Sequence, residues 1–177
     1  MIDIRPAAAD DLPRIEQIYD AIHTAEKTGA ASVGWARGVY PTRATAQAAL
    51  DDGALFVLED DGVLVAAGRI DQVQVPVYAQ VPWQYAAPPE QVLVLHTLVV
   101  DPTIVGHGYG TQFVRFYAQR ARALGCTVLR IDTNAKNAAA RRLYARLGFR
   151  EAAIVPCTFN GIAGVELVCL EKRLDAE

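Results

Sequence analysis

The sequence predicts a mixed α/β domain with a mostly antiparallel central sheet flanked by helices. Residues 92–100 form an almost unbroken apolar run, which is typical of a buried strand. Asp61-Gly62 and Asn160-Gly161 each separate two strand-like segments and therefore predict antiparallel hairpins. Helical periodicity appears between the strands, as a mixed sheet requires. A length of 177 residues supports one domain, residues 1–177.

The first third of the chain predicts two helices. Asp10 and Asp11 supply a cap and negative charge for a helix that fades before Gly29. Its apolar face is formed by Leu12, Ile15, Ile18, Tyr19 and Ile22. Residues 28–41 lack a period, and Thr42 then caps a short helix that runs to about residue 51. The predicted strands of this part span residues 1–5, 55–59 and 63–75.

The rest of the chain alternates strands and helices after a proline-rich segment, residues 76–89. This segment holds four prolines, and a loop of such length in a compact domain is often functional. Asp101-Pro102 ends the central strand, because proline cannot donate to a ladder. A helix follows with Val114, Tyr117, Ala118, Ala121 and Leu124 on one face, closed by Gly125. Further elements are predicted as a strand at 127–133, a helix at 137–147 ended by Gly148, and strands at 149–159 and 162–170.

Composition excludes several classes of protein. The net charge of −3 argues against nucleic-acid binding, which needs a clustered basic surface. The chain opens with no signal peptide and has no run of eighteen apolar residues, so a cytoplasmic protein without membrane contact is expected. Cys126, Cys157 and Cys169 lie inside apolar strand patterns, which favours buried free thiols over disulfides. No pattern of metal ligands is present, so no metal is predicted.

The segment between the central strand and its helix predicts a phosphate-binding loop. We call residues 105–111 the glycine loop, because Gly106, Gly108 and Gly110 alternate there just before the helix. Bare backbone N–H groups and the helix dipole favour an anion at such a place. A P-loop is excluded because no lysine is near, and the glycine spacing fails the dinucleotide G-x-G-x-x-G pattern.

Two motifs resemble the GNAT superfamily of N-acetyltransferases. Val105-Gly106-His107-Gly108-Tyr109-Gly110 resembles the family's Arg/Gln-x-x-Gly-x-Gly/Ala loop, with valine at the place usually held by Arg or Gln. Residues 137–149 resemble its N-x-x-A-x-x-L-Y-x-x-x-G-F helix. With flanking strands the resemblance covers about residues 55–174 and implies acetyl-CoA in a gap between two splayed strands. The cofactor contacts it implies are Leu98, Val99, Val100, Val105, Gly106, His107, Gly108, Tyr109, Gly110, Thr111, Asn137 and Tyr144.

Two residues are candidates for proton transfer. The resemblance implies that Tyr144 protonates the departing thiolate, and a phenol suits that task. Strand alternation places His96 on one face with Val94, Leu98 and Val100, in the strand where many relatives carry a glutamate. His96 is therefore either a general base or a hydrogen-bonded structural histidine.

The candidate acceptor residues are aromatic, with one carboxylate. We use "acceptor" for the amine that would receive the acetyl group. The candidates are Trp35, Tyr40, Tyr78, Trp83 and Asp132, the last at a strand's C-terminal end. The aromatic residues also suit core packing or a homodimer contact, and Asp132 also suits capping.

The sequence therefore predicts an N-acetyltransferase in which a primary amine of a small molecule or peptide attacks acetyl-CoA directly, since no Ser/His/Asp or Cys/His motif suggests a covalent route. Two alternatives stay open. One is a non-catalytic acyl-CoA binding or sensing domain, and the other is a nucleotide- or NAD-binding module.

Overall fold

The computed structural model describes residues 1–175. Its strands are β1 Ile2–Pro6, β2 Leu55–Asp60, β3 Val63–Asp71, β4 Val92–Val100, β5 Val128–Asn134, β6 Arg150–Phe159 and β7 Ile162–Arg173. Its α-helices are α1 Leu12–Thr28, α2 Arg43–Asp51, α3 Tyr109–Ala123 and α4 Ala138–Arg146. Short 3-10 helices span Ala9–Asp11, Pro76–Gln80 and Pro89–Gln91.

The seven strands form one sheet in the order β1-β2-β3-β4-β5-β7-β6. All neighbouring pairs are antiparallel except β4 and β5, which run parallel. The predicted mixed α/β class with a mostly antiparallel sheet is therefore confirmed. The connection from β4 to β5 passes through α3, as a parallel pair requires.

Both predicted hairpins are present. Asp61 and Gly62 have φ of 48° and 78°, and Asn160 and Gly161 have φ of 50° and 76°. Two consecutive residues with positive φ are typical of the two-residue turns that match the twist of antiparallel strands. Thr42 and Gly125 also lie where predicted, at the start of α2 and just beyond the end of α3.

Three sequence predictions are wrong in detail. The strand predicted at residues 63–75 ends at Asp71, because the chain turns there and the Asp71 carboxylate accepts the Val73 N–H. Leu124 is 52% exposed and not part of the α3 core face, whereas Tyr109 and Phe113 are buried. Asp11 precedes α1, but its carboxylate accepts the Ala8 N–H and pairs with Arg5 instead of capping the helix.

The core lies on both faces of the sheet. One face packs against α3 and α4, and Phe113, Tyr117 and Leu129 are fully buried between the helices and the sheet. The opposite face packs against α1 and α2 near β2 and β3. Beside those helices, the proline-rich segment covers β4, β5 and β7. The predicted core residues of α1 are all buried there.

A β-bulge interrupts β4 at Thr97. Arg69 pairs with His96 and Ala67 with Val99, so β4 advances three residues while β3 advances two. Thr97 has φ of 51°, a left-handed conformation that is unfavourable for a β-branched residue. Side chains beyond the bulge therefore change face. Leu98 packs on the α3 side, as Leu93 and Leu95 do.

The ladder between β4 and β5 ends early. It runs from the pair Val92 and Val128 to the pair Leu95 and Ile131 and stops there. Within the paired part of the ladder, the buried Tyr117 hydroxyl is the donor to the carbonyl oxygens of Leu93, at 2.6 Å, and Arg130, at 3.0 Å. Tyr117 thus joins the two strands just before they separate. We call the space beyond Leu95 and Ile131 the central gap.

Removing this hydroxyl should weaken the fold. We expect Tyr117→Phe to lower the free energy of unfolding by about 1–2 kcal/mol, because two buried carbonyl groups lose a shared donor. Chemical denaturation at neutral pH measures this change.

Tyr85→Phe is the matched control. The hydrogen bonds of Tyr85 within residues 1–175 use only its backbone atoms, so the same chemical change should leave stability within about 0.5 kcal/mol. Equal effects of the two variants would show that the Tyr117 hydroxyl does not stabilise the strand pair.

Candidate active site

A cavity of about 340 Å³ occupies the central gap. We call it the main cavity. Its walls include Leu98 and Val100 from β4, Asp132 from β5 and Tyr144 from α4. Its volume lies in the range usual for small-molecule sites. The gap is lined by the ends of both strands because neither continues its ladder with the other beyond Leu95 and Ile131.

Residues 29–42, between α1 and α2, cover the main cavity, and we call them the covering loop. Trp35 and Tyr40 are in its lining, and their rings meet edge to face at 5.7 Å. The Tyr40 hydroxyl is hydrogen-bonded to the Thr97 hydroxyl on β4. A methyl group at Gly34 would overlap the Asn134 side chain, so the loop also passes directly over the end of β5.

Several contacts hold the covering loop to α1, among them bonds from Glu26 and His23. The Glu26 carboxylate accepts the N–H groups of Val33, at 2.7 Å, and Gly34, at 3.2 Å. His23 Nε2 donates to the Pro41 carbonyl at 2.9 Å. These bonds hold the loop before Trp35 and after Tyr40, and so position both rings at the cavity.

Asp132 is the carboxylate of the main cavity. It follows Ile131, the last β5 residue paired with β4, and its Oδ2 accepts the Tyr78 hydroxyl at 2.7 Å. Burial raises the pKa of Asp132 to about 6, although the Tyr78 bond and nearby His96 both lower it. Oδ1 has no hydrogen-bond partner in residues 1–175. A carboxylate with such a pKa exchanges protons near neutrality.

The proline-rich segment places Tyr78 against Asp132. Trp83 packs edge to face on Tyr78 at 5.2 Å and donates its indole N–H to the Tyr78 carbonyl. The Arg130 guanidinium lies 4.2 Å above the Trp83 ring. The buried Glu171 carboxylate accepts the N–H groups of Gln84 and Tyr85.

The predicted acceptor residues therefore divide into two groups. Trp35, Tyr40 and Asp132 line the main cavity. Trp83 lies behind Tyr78, and Tyr78 reaches the site through its bond to Asp132, so neither the Tyr78 ring nor the Trp83 indole is in the cavity wall. The sequence does not show this arrangement, because Tyr78 and Asp132 are 54 positions apart.

Tyr144 approaches the central gap from the opposite face of the sheet. It lies on α4, it is 5% exposed, and its ring packs against Phe149 at 5.9 Å. Its hydroxyl makes no hydrogen bond with any of residues 1–175. Burial, with Asp132 nearby, raises the pKa of Tyr144, so the phenol keeps its proton throughout the neutral range.

His96 lies outside the lining of the main cavity. Its Nε2 is 2.9 Å from Asp71 Oδ1, and the same carboxylate receives Arg69 Nε at 2.5 Å. The prediction that His96 shares a face with Leu98 and Val100 is wrong, because the bulge at Thr97 shifts the alternation by one residue. The structure therefore gives His96 the contacts of a hydrogen-bonded structural residue.

The glycine loop borders a second cavity of about 370 Å³, which we call the loop cavity. Both cavities share Val100, Pro102 and Gly110 in their walls, so they adjoin each other, and we call the two together the channel. Gly106 and Gly108 have φ of 85° and 69°, which only glycine adopts readily. Gly110 has a different role, since a methyl group there would lie 3.2 Å from the Leu143 side chain on α4.

The other predicted loop residues have mixed contacts. Val105, His107, Tyr109 and Thr111 border the loop cavity, and Val105 is 78% exposed. Tyr109 begins α3, and its hydroxyl donates to Asp60 Oδ2 at 2.9 Å.

Two α4 residues complete the channel wall. Asn137 caps α4 through the Ala140 N–H and lines the main cavity, so capping and cavity exposure occur together. Arg146 borders the loop cavity beside the glycines. It has no ion pair within residues 1–175. A cation beside bare N–H groups at a helix start is suited to an anionic ligand.

Residues 13–149 match the model of the Acetyltransferase (GNAT) family, which is most of the chain. This match identifies the class of protein as an acetyltransferase. The chain belongs to the GNAT family of acetyltransferases, and the resemblance seen in the sequence is confirmed.

Solved structures share this fold. A GNAT-family acetyltransferase from Streptococcus agalactiae is 22% identical, with a TM-score of 0.81 over 99% of this chain and 96% of that one. yncA from Salmonella typhimurium, solved with its cofactor acetyl-CoA, is 22% identical, with a TM-score of 0.70 over 100% and 96% of the two chains. The ribosomal-protein-S18-alanine N-acetyltransferase from Escherichia coli is 20% identical, with a TM-score of 0.69 over 100% and 96%.

No curated protein matches the chain in sequence. Within residues 1–175, none of the helices has the length and apolarity needed to cross a membrane.

The raised pKa of Asp132 should appear as a pH-dependent stability cost. A carboxyl whose folded pKa exceeds its unfolded value stabilises the fold at acid pH, and this contribution is lost as pH rises through the folded value, here about 6. We therefore expect Asp132→Asn to gain stability relative to the unchanged protein between about pH 4 and about pH 7. One pKa unit corresponds to about 1.4 kcal/mol, so the gain has an upper limit of roughly 3 kcal/mol. Chemical denaturation across this pH range measures the gain.

Asp11→Asn is the control with the opposite sign. Its hydrogen bonds with Arg5 lower the pKa of Asp11, so its contribution is present at neutral pH and lost in acid. A constant difference between Asp132→Asn and the unchanged protein across this range would contradict the raised pKa.

Proposed function

We propose that this acetyltransferase moves the acetyl group of acetyl-CoA to a primary amine by direct attack within one ternary complex. The observation that carries the proposal is the central gap itself. Asp132 reaches it from one face of the sheet and Tyr144 from the other, and the channel continues to the glycine loop. A base and an acid on opposite sides of one small cavity suit a transfer that removes and delivers protons.

The residues along the channel suit acetyl-CoA. The loop cavity offers the α3 N-terminus and Arg146 to a pyrophosphate, and the shared wall at Val100 and Gly110 suits the pantetheine arm. Val105 supplies no donor where the family usually has Arg or Gln, and Arg146 supplies positive charge to the same cavity. When bound, acetyl-CoA provides an activated acyl group and a thiol leaving group.

Backbone groups of β4 supply the polar contacts in the gap. Beyond Leu95 the β5 side of β4 has no ladder partner, so backbone groups at Leu98, Val99 and Val100 are available to the arm and the acetyl carbonyl. An N–H group directed at a carbonyl oxygen stabilises the negative charge that develops during attack.

Asp132 is the better placed base. Its Oδ1 has no hydrogen-bond partner in the described chain, whereas His96 is bound to Asp71 and does not line the cavity. The titratable groups around Asp132 are Tyr78, His96, Tyr40, Tyr144, Cys157 and Cys169. The tyrosine and cysteine pKa values are raised, so these groups stay neutral while Asp132 titrates.

Two residues account for the protons that move during the transfer. Asp132 takes one proton from the ammonium group, which frees the nitrogen lone pair for attack on the carbonyl carbon. Tyr144 gives a proton to the departing sulfur as the carbon–sulfur bond breaks. The nitrogen loses a second proton as the amide forms, which restores the phenol, and the proton on Asp132 passes to solvent.

Calorimetric titration with CoA tests the glycine loop. We expect Gly108→Val to weaken CoA binding at least about tenfold, because the left-handed backbone at φ 69° and the open loop cavity are both lost. Gly110 is a poorer probe, since a side chain there would also displace Leu143.

Gly125→Val is the matched control. Gly125 has φ of 76°, a side chain there would enter open space, and it lies at the other end of the same helix. It should have a similar stability cost and unchanged CoA affinity. Unchanged affinity in folded Gly108→Val would remove the loop from the cofactor site.

The pH dependence of turnover tests the base. With saturating acetyl-CoA, we expect the rate to fall below about pH 6, as Asp132 becomes protonated. Asp132→Asn should remove this acidic limb. It should also lower the rate by at least about 100-fold, which is the usual contribution of a positioned base. Residual activity should then rise with pH toward the pKa of the free amine, near ~10.

Two variants separate the alternatives. His96→Gln should keep the acidic limb, and Tyr144→Phe should lower the rate without moving the limb. Loss of the limb in His96→Gln and its persistence in Asp132→Asn would assign the base to His96. Tight CoA binding without transfer to any amine would instead support an acyl-CoA sensing domain.

A further inference from the structure

The charge distribution of the main cavity restricts the acceptor. Among the described residues that line it, Asp132 is the one with a charged side chain, and the lining contains no Lys, Arg or His. Its other polar groups are hydroxyls, amides and backbone atoms. The site therefore offers one negative charge to a ligand and no positive charge.

Two arginines near the cavity are already paired with carboxylates. Arg69 is held between Asp52 and Asp71, at 2.8 and 2.5 Å. Arg37, in the covering loop, pairs with Asp20 on the outer surface. None of these guanidinium groups is in the cavity wall, so each would have to leave a carboxylate to reach a ligand.

The acceptor end of the cavity also has a large uncharged, mainly apolar wall. The end away from the glycine loop is bounded by Ile22, Val33 and Trp35 from α1 and the covering loop, and by Phe159 and Ile162 from the β6–β7 hairpin. Val39 meets the same hairpin, since a methyl group at Gly161 would lie 3.2 Å from its Cγ1. Burying an apolar substituent against such walls favours binding, whereas burying a charge against them disfavours it.

We propose that the acceptor is a small apolar amine that carries one positive charge and no carboxylate, such as an arylalkyl- or alkylamine. This inference rests on the proposed function. The ammonium group would be held by Asp132 Oδ1, and the apolar substituent would lie between the covering loop and the hairpin. An amino acid would bring its carboxylate close to Asp132, where two like charges repel and no cation in the cavity wall compensates them.

The proposal also accounts for product release. Proton transfer to Asp132 and amide formation leave a neutral product beside a neutral carboxylic acid. The electrostatic attraction that held the ammonium is then gone, so the charged substrate is favoured over the amide product.

A series of matched acceptors tests the inference on the unchanged protein. Phenethylamine, phenylalaninamide and phenylalanine share one aromatic group and differ in bearing no α-substituent, a neutral amide or a carboxylate. Tryptamine and isopentylamine, each with its amino acid and amino-acid amide, extend the series. We expect kcat/KM for each accepted amine to exceed that of its amino acid by at least about 30-fold, with the amide closer to the amine. CoA release is the readout.

The outcomes separate this inference from the proposed function. Equal or better use of the amino acids, or use of peptide N-termini alone, would overturn the inference and leave N-acetyl transfer standing. Transfer to none of the amines, amino acids or peptides by the acetyl-CoA-bound protein would overturn the proposed function, and the inference would fall with it.

Discussion

The early end of the β4–β5 ladder is the constraint on which the site depends. Beyond Leu95 and Ile131, β4 continues to pair with β3, and β5 continues to pair with β7 as far as Asn134. Each strand follows a different neighbour, so the two diverge inside one sheet. Their facing backbone edges have no ladder partner there, and the main cavity fills the space between them.

This gap explains how groups from opposite faces meet. In a continuous sheet the strands themselves would separate Tyr144, on the α4 face, from Asp132, on the face of the proline-rich segment. The covering loop spans the opening, with Tyr40 bonded to Thr97 on β4 and Gly34 packed against Asn134 on β5. The same interruption of pairing therefore creates the cavity, exposes backbone donors and joins the two halves of the site.

Local features were readable from the sequence, and long-range ones were not. The hairpins, the cap at Thr42 and the glycine loop follow from short-range backbone preferences, which a few adjacent residues determine. The face of His96 was predicted wrongly because a β-branched residue at Thr97 gives no indication of positive φ. The partnership of Tyr78 with Asp132 depends on how the proline-rich segment packs, and Arg146 reaches the loop cavity only through the placement of α4.

The energetics of Asp132 connect stability with recognition. The fold buries this carboxylate and gives it one hydrogen-bond donor, the Tyr78 hydroxyl. Its raised pKa reflects how poorly the protein alone compensates the charge. A bound ammonium group supplies the missing countercharge, so part of the unfavourable burial is recovered on binding. A neighbouring arginine would stabilise the carboxylate in the free protein, but it would also lower its pKa and weaken it as a base. The absence of a cation from the described cavity wall thus favours both proton abstraction and the selection of a cationic acceptor.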